Sequence, residues 1–330
     1  MIPGVRVERR NLSVICLTVF IGCLVWYYRT RDSDNTIAFN MGSTAPPTKF
    51  KYEIVKGFFY QDAADTDPDS FDYTHNFGLV NRSYPTDTNP SDPLWQRFTT
   101  YIHHLASAAP SDVSYKLLYL GRHGEGSHNV AEAKYGTEKW DDYWSKLEGD
   151  GELFWADAHL TAVGEEQART ANRFVKRQLE KGVGMPLPEA WVVSPMWRCL
   201  QTAQLTWEGV HGFKPLVKEL VREVLGVHTC DRRGRRSEFE KVFNKGWEVE
   251  EGLTEEDELW QADHRETNEE IDERIGEWLD GLFARERGVV VSVTSHSGAI
   301  ASHLRVLGHR EFKLSTGGMI PVLVKATRLE

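Results

Sequence analysis

The chain is predicted to fold as a three-layer αβα sandwich, an α/β architecture with a mostly parallel central sheet. Three observations predict it. The 330 residues are 40% hydrophobic and 27% charged, the balance of a folded globular chain long enough for one large α/β domain or two small ones. Short apolar runs at 116–121, 191–193, 289–293 and 321–325 read as strands. Helix-period stripes fill the gaps between them. Strands alternating with helices need crossover connections, so they lie parallel with helices on both faces, and ligands bind beyond their carboxyl ends.

The N-terminus reads differently from the body. Residues 1–11 form a basic tail containing Arg6, Arg9 and Arg10. The uncharged run 12–28 is about 17 residues, the lower limit for a helix crossing a hydrocarbon core. Trp26, Tyr27 and Tyr28 close it where amphipathic rings favour the headgroup level. We expect a retained signal-anchor, because the small-residue cleavage site of a secreted precursor is missing; secretion after cleavage is the alternative. The Lys and Arg balance keeps the tail cytosolic and puts the body in the lumen or outside the cell. The sequon Asn81-Arg82-Ser83 fits that orientation. Residues 29–50, polar and carrying a Pro-Pro pair, read as a linker to a domain at 51–330.

From 50 to 112, aromatic residues among Asp, Pro and Asn predict an ordered, irregular wrapping of the core. Farther on, Thr161 caps a helix bearing Ala168, Ala171, Phe174, Val175 and Leu179. Thr267 precedes one bearing Ile271, Ile275, Trp278, Leu279 and Leu282. Those intervals of three and four put each set on one helix face.

The net charge of −10 argues against a nucleic-acid surface, so any anion site must be local. Arg122-His123-Gly124 ends the first strand, and Ser295-His296-Ser297-Gly298 follows the third. Two strand ends thereby deliver two imidazoles to one pocket. Ser194-Pro195 turns strand into helix and sets Arg198 in the first turn, where the helix dipole adds positive potential. An imidazole that attacks phosphorus needs cations around the non-bridging oxygens and an acid for the leaving group. His123 is the candidate nucleophile. Gly121 and Gly124 leave room for backbone N–H groups to approach an anion. The other histidines, His128 among them, have no comparable motif. His228 and Cys230 lack zinc-type pairing, and no metal site is expected. The four cysteines make no disulfide scaffold, so the redox compartment stays open. The arginines at 232–236 could hold a second anionic group or form a solvated loop.

These motifs together, with Asn129 after Arg-His-Gly, Leu160-Thr161 with Gly164, and Gln201 and Thr202 after Arg198, resemble the histidine phosphatase superfamily in its phosphoglycerate mutase-like branch. The segments 55–62, 76–79 and 226–231 resemble fungal phosphomutase-like members, with coverage from about residue 51 to the end. The resemblance implies that His123 is phosphorylated, that Arg122, Arg198 and His296 hold the phosphoryl group, and that Asn129 lines the pocket edge. It implies no metal or other cofactor. Leu220-Val221-Arg222-Glu223 matches the family's acid segment and makes Glu223 the proton donor, with catalysis shared among His123, Glu223 and His296. Glu219 is the alternative if the stretch is helical. The expected activity is hydrolysis of a small phosphomonoester through phosphohistidine. The rivals are a phosphomutase, against which Gly126 stands where cofactor-dependent mutases carry serine, and a non-catalytic phospho-ligand binder.

Overall fold

The computed structural model describes residues 48–330. Its strands are β1 (Phe50–Ile54), β2 (Val113–Arg122), β3 (Ala190–Val193), β4 (Pro215–Val217), β5 (Glu248–Val249), β6 (Val290–Ser295) and β7 (Met319–Arg328). They form one sheet in the order β1-β7-β2-β6-β3-β4-β5. The pairs from β2 through β6, β3 and β4 to β5 are parallel. Strand β7 is antiparallel to β2 and to β1, closing one side of the sheet. The mostly parallel sandwich is thus present.

Eight α-helices complete the described residues: α1 (Leu94–Ala108), α2 (Ser127–Tyr135), α3 (Thr137–Asp142), α4 (Ala162–Gln178), α5 (Trp197–Trp207), α6 (Arg236–Val242), α7 (Asn268–Arg285) and α8 (Ser297–Val306). Side chains alternate across β2, and each set meets its own layer. Leu118 and Leu120 join Ile271, Ile275 and Leu279 of α7 and Ile300 and Leu304 of α8. Leu117 and Tyr119 meet Trp95, Phe98 and Ile102 of α1 and Ala171, Phe174 and Val175 of α4. A buried Leu or Phe of this kind stabilises by roughly 2 kcal/mol.

Both expected caps are formed. Thr161 Oγ1 accepts from the Gly164 amide at 3.1 Å at the start of α4. At the start of α7, Thr267 Oγ1 accepts from the Glu270 amide at 3.3 Å, while Glu270 accepts from the Thr267 amide at 2.8 Å. The region 50–112 is less irregular than expected, since it contains β1 and α1. Trp95, Phe98 and Ile102, at intervals of three and four, are the helical stripe that the surrounding aromatics obscured.

The membrane expectation is corrected. Among the described residues no helix is long and apolar enough to cross a membrane. The segment 12–28 on which the anchor rested lies outside the described residues, as do the tail at 1–11 and the linker as far as 47. The single-pass, lumenal or extracellular placement is therefore unsupported.

Register positions the site. In the parallel β2–β6 pair Arg122 stands opposite Ser295, and the His123 amide donates to the Ser295 carbonyl at 3.0 Å. On the other side of β6, the Ser194 amide donates to the Thr294 carbonyl at 3.0 Å. Three adjacent strand ends therefore converge. Replacing Thr267 with alanine removes one half of the α7 capping box; urea unfolding should show a loss of about 1 kcal/mol with an unchanged m-value.

Candidate active site

His123 follows the last residue of β2 and is 1% exposed. Its Nδ1 lies 2.7 Å from the Gly124 carbonyl oxygen, which can only accept, so Nδ1 carries the proton and Nε2 keeps a free lone pair. Burial, then Arg198 and Arg122, pushes its pKa well below the ordinary histidine value and favours the neutral ring. The next residue serves packing rather than anion binding. A Cβ on Gly124 would lie 2.3 Å from the Gly164 carbonyl oxygen, and the Gly124 amide donates to Thr202 Oγ1 at 3.0 Å. The loop that carries His123 is thus pressed onto the first turn of α4.

The His296 ring lies 5.2 Å from that of His123, edge to face, and is fully buried. Arg198 Nε donates to its Nδ1 at 3.2 Å. Because guanidinium only donates, Nδ1 accepts and the neutral ring carries its proton on Nε2, 2.8 Å from Ser194 Oγ. Burial first, then Arg198, keeps this histidine's pKa well below the usual value too.

Arg198 is buried within α5 and held on three sides. Besides His296, it donates to the Cys230 carbonyl at 2.6 Å and to Asp231 Oδ1 at 2.9 Å. The other Asp231 oxygen accepts from Arg265 at 2.8 Å. Burial alone would raise the Asp231 pKa, but Arg265 and Arg198 hold it below the ordinary aspartate range. Arg122 donates to the Leu314 carbonyl at 2.8 Å, and its Nε is buried without a partner. Burial and the neighbouring Arg198 lower the Arg122 pKa. Two crowded guanidiniums beside a neutral imidazole make a local anion site in an acidic chain.

The two candidate acids are in different surroundings. Glu223 lies across the start of α8, accepting from Ser297 Oγ at 3.2 Å and from the amides of Gly298 and Ala299 at 3.1 Å each. Glu219, in a single 3-10 turn, pairs with Arg222 at 2.5 Å and Arg233 at 3.2 Å. Asn129 turns back on its own helix: its Oδ1 accepts from the Gly126 amide at 3.0 Å.

Sequence reasoning missed several neighbours. The His128 ring lies 5.4 Å from that of His123. Asp231 and Arg265 belong to the arginine's support; Asp231 closes the segment 226–231 that carries the resemblance, which implies no role for it, and no motif marks Arg265. Asp157 accepts from the Trp197 amide at 3.1 Å and the Gly234 amide at 2.7 Å, tying the first turn of α5 to the arginine-rich loop. Burial pushes its carboxyl up to about 6 against those amides and Arg198.

The arginine-rich loop buries only Arg233 and keeps its other three arginines in ion pairs at the surface. Arg232 pairs with Glu148, Arg235 with Glu256 and Arg236 with Glu240. Arg233 is buried against the carbonyls of Gly234, Thr254 and Glu256 and the Glu219 carboxylate. Of the two roles considered for this loop, the exposed ion pairs of Arg232, Arg235 and Arg236 fit the solvated one. Among the described residues His228, Cys230 and Asp231 bring ligand-type atoms within 4.8 Å of one another. The Asp231 carboxylate is already matched by two guanidiniums, which disfavour a further cation there. Cys199 and Cys230 are buried free thiols.

Asp231→Asn is expected to destabilise the protein by about 3 kcal/mol at pH 7, since it leaves a buried guanidinium short of its counter-charge. The depressed Asp231 pKa contributes stability that is present above the unfolded aspartate value, about 3.9, and lost as pH falls through the lower folded value. Urea titrations of both proteins should show a full gap above about pH 4 that narrows below it.

Comparison with known proteins places the sequence in a family. The sequence model of the histidine phosphatase superfamily (branch 1) matches residues 118–316. A protein of Arthroderma benhamiae named "Probable phosphoglycerate mutase" is 44% identical over 295 residues, 86% of this chain and 87% of its own. "Phosphomutase-like protein 3" of Candida albicans is 34% identical over 275 residues, 83% and 80% of the two chains. A solved phosphoglycerate mutase from Thermus thermophilus is 22% identical, covers 65% of this chain and 98% of that one, and has a TM-score of 0.35. The match over residues 118–316, together with relatives of this identity and coverage, makes the chain a member of the histidine phosphatase superfamily, branch 1.

Proposed function

We propose that the chain is a phosphatase that hydrolyses a small phosphomonoester through a phosphohistidine on His123, within a catalytic domain at 51–330. The observation that carries this reading is the His123 ring. Its Nδ1 is bonded to the Gly124 carbonyl, which leaves Nε2 to attack phosphorus in line. The P–O bond to the alcohol breaks as the N–P bond forms, and water later attacks the phosphohistidine to release phosphate.

Arg122 and Arg198 neutralise the non-bridging oxygens. His296 holds Arg198 through Nδ1, and contact of its Nε2–H with a phosphoryl oxygen requires that proton to leave Ser194 Oγ. Glu223 delivers the proton to the departing alcohol once one of its oxygens has left the donors at the start of α8 and taken up a proton. Glu219 is the weaker candidate because Arg222 and Arg233 already share its carboxylate. Asn129 supports the pocket edge by closing the Gly126 turn. The names of the relatives favour a second reading, phosphoryl return to another hydroxyl as in a mutase. Hydrolysis is preferred because Gly126 offers no hydroxyl and Arg233, the one buried arginine of the 232–236 loop, is taken up by backbone carbonyls and Glu219.

Acid-quench labelling with a phosphorylated substrate should give acid-labile phosphate on wild type and none on His123→Ala. Product analysis should show free phosphate; an isomerised phosphoester as the main product would select the mutase. Replacing Arg122 or Arg198 with alanine should lower kcat/KM on the order of 100-fold or more. Because the His123 pKa is depressed, the labelling rate should stay level as pH falls through 6.5, whereas protonation with an ordinary histidine midpoint would contradict a neutral nucleophile.

A further inference from the structure

We propose that His128, rather than Asn129, is the α2 residue that contacts the phosphoryl group, donating a ring N–H to one of its oxygens. This rests on the phosphohistidine reading and adds a catalytic contact to it. The two residues are neighbours in the first turn of α2, but they face different tasks. The Asn129 oxygen closes its own helix on the Gly126 amide. The His128 ring lies 5.4 Å from the His123 ring, and Arg198 and Arg122 are the cations acting on it.

Two further features show that packing alone does not explain this imidazole. His128 is 9% exposed, and its Nδ1 is buried without a hydrogen-bond partner. Leaving a buried polar atom unpaired is unfavourable, whereas a phenyl ring of similar shape would occupy the space without that cost. The room for the ring also depends on Gly126. A Cβ there would lie 2.8 Å from His128 Nδ1, although the Gly126 backbone, at φ −104° and ψ 165°, suits any residue. A side chain at 126 therefore acts on the ring, not on the turn. The missing side chain at 126 and the imidazole at 128 are two parts of one arrangement, since any Cβ at 126 would press on the ring. With the two rings 5.4 Å apart, an oxygen of a phosphoryl group on His123 would be within reach of the His128 ring, and a neutral N–H can bind it without adding charge.

The test compares the full chain with His128→Phe, His128→Gln and Gly126→Ala. It measures acid-quench labelling, kcat and KM with a phosphomonoester, inhibition by orthovanadate, and urea unfolding. His128→Phe should lower kcat and weaken vanadate binding about tenfold or more while leaving stability equal to or above wild type. His128→Gln keeps an N–H donor and should recover part of the loss. Gly126→Ala should reproduce the Phe phenotype by moving the ring. Wild-type kcat and vanadate affinity in His128→Phe, with wild type labelled, would overturn this contact alone. No label on wild type would overturn the phosphohistidine reading and this contact with it. Should His128→Phe fail to fold, unchanged kcat in Gly126→Ala overturns the proposal and a tenfold loss there supports it.

Discussion

The buried pair of Arg198 and Asp231 is the constraint on which the rest of the site depends. The side chains are 1% and 4% exposed, so neither charge is solvated, and each must be matched by the other and by hydrogen bonds. Arg198 meets that demand through His296, the Cys230 carbonyl and Asp231; Asp231 meets it through Arg198 and Arg265. A guanidinium bound on three sides has one orientation. The same contacts set the tautomer of His296 and, through Asp231, join the end of the sheet to the loop that follows Glu223.

Charge is handled by the same rule elsewhere. The chain is acidic, with 49 Asp and Glu against 39 Lys and Arg, yet the site is locally positive. Several arginines outside it have carboxylate partners: Arg222 pairs with Asp257 and Glu219 although its Nε is buried without a partner, Arg233 with Glu219, and Arg274 with Glu266. Arg122 alone among the proposed phosphate ligands keeps a buried Nε without a partner. An incoming phosphoryl group would complete its coordination and relieve the crowding of two cations. Histidines held neutral by burial suit this environment, since a charged imidazole beside two guanidiniums would be strongly disfavoured.

Much of the fold was legible in the sequence because it follows local rules. The strands through His123, Val193, Ser295 and β7, and the helices capped by Thr161 and Thr267, came from apolar period and cap chemistry. Helix α1 was missed although Trp95, Phe98 and Ile102 keep its period, because neighbouring aromatic and turn residues drew attention to irregular structure. The short strands β4 and β5 have too few residues to show a period. The expectation of a membrane span rested on a segment outside the described residues, and nothing within them supports it.

The sequence by itself determined the sheet class and the motifs His123, Arg122, Arg198 and His296, because each sits at a strand end or in the first turn of a helix, and those positions are set by short-range periodicity. Only the tertiary structure decided what surrounds them. Parallel register brought His123 and His296 to 5.2 Å, and a distant loop supplied Asp231. That arginines pair with Glu219 and not with the Glu223 carboxylate, that Arg233 alone of the 232–236 arginines is buried, and that the His128 ring lies beside that of His123 while Asn129 closes its own helix were all decided by packing. Such choices depend on contacts between residues far apart in the chain, and no local pattern encodes them.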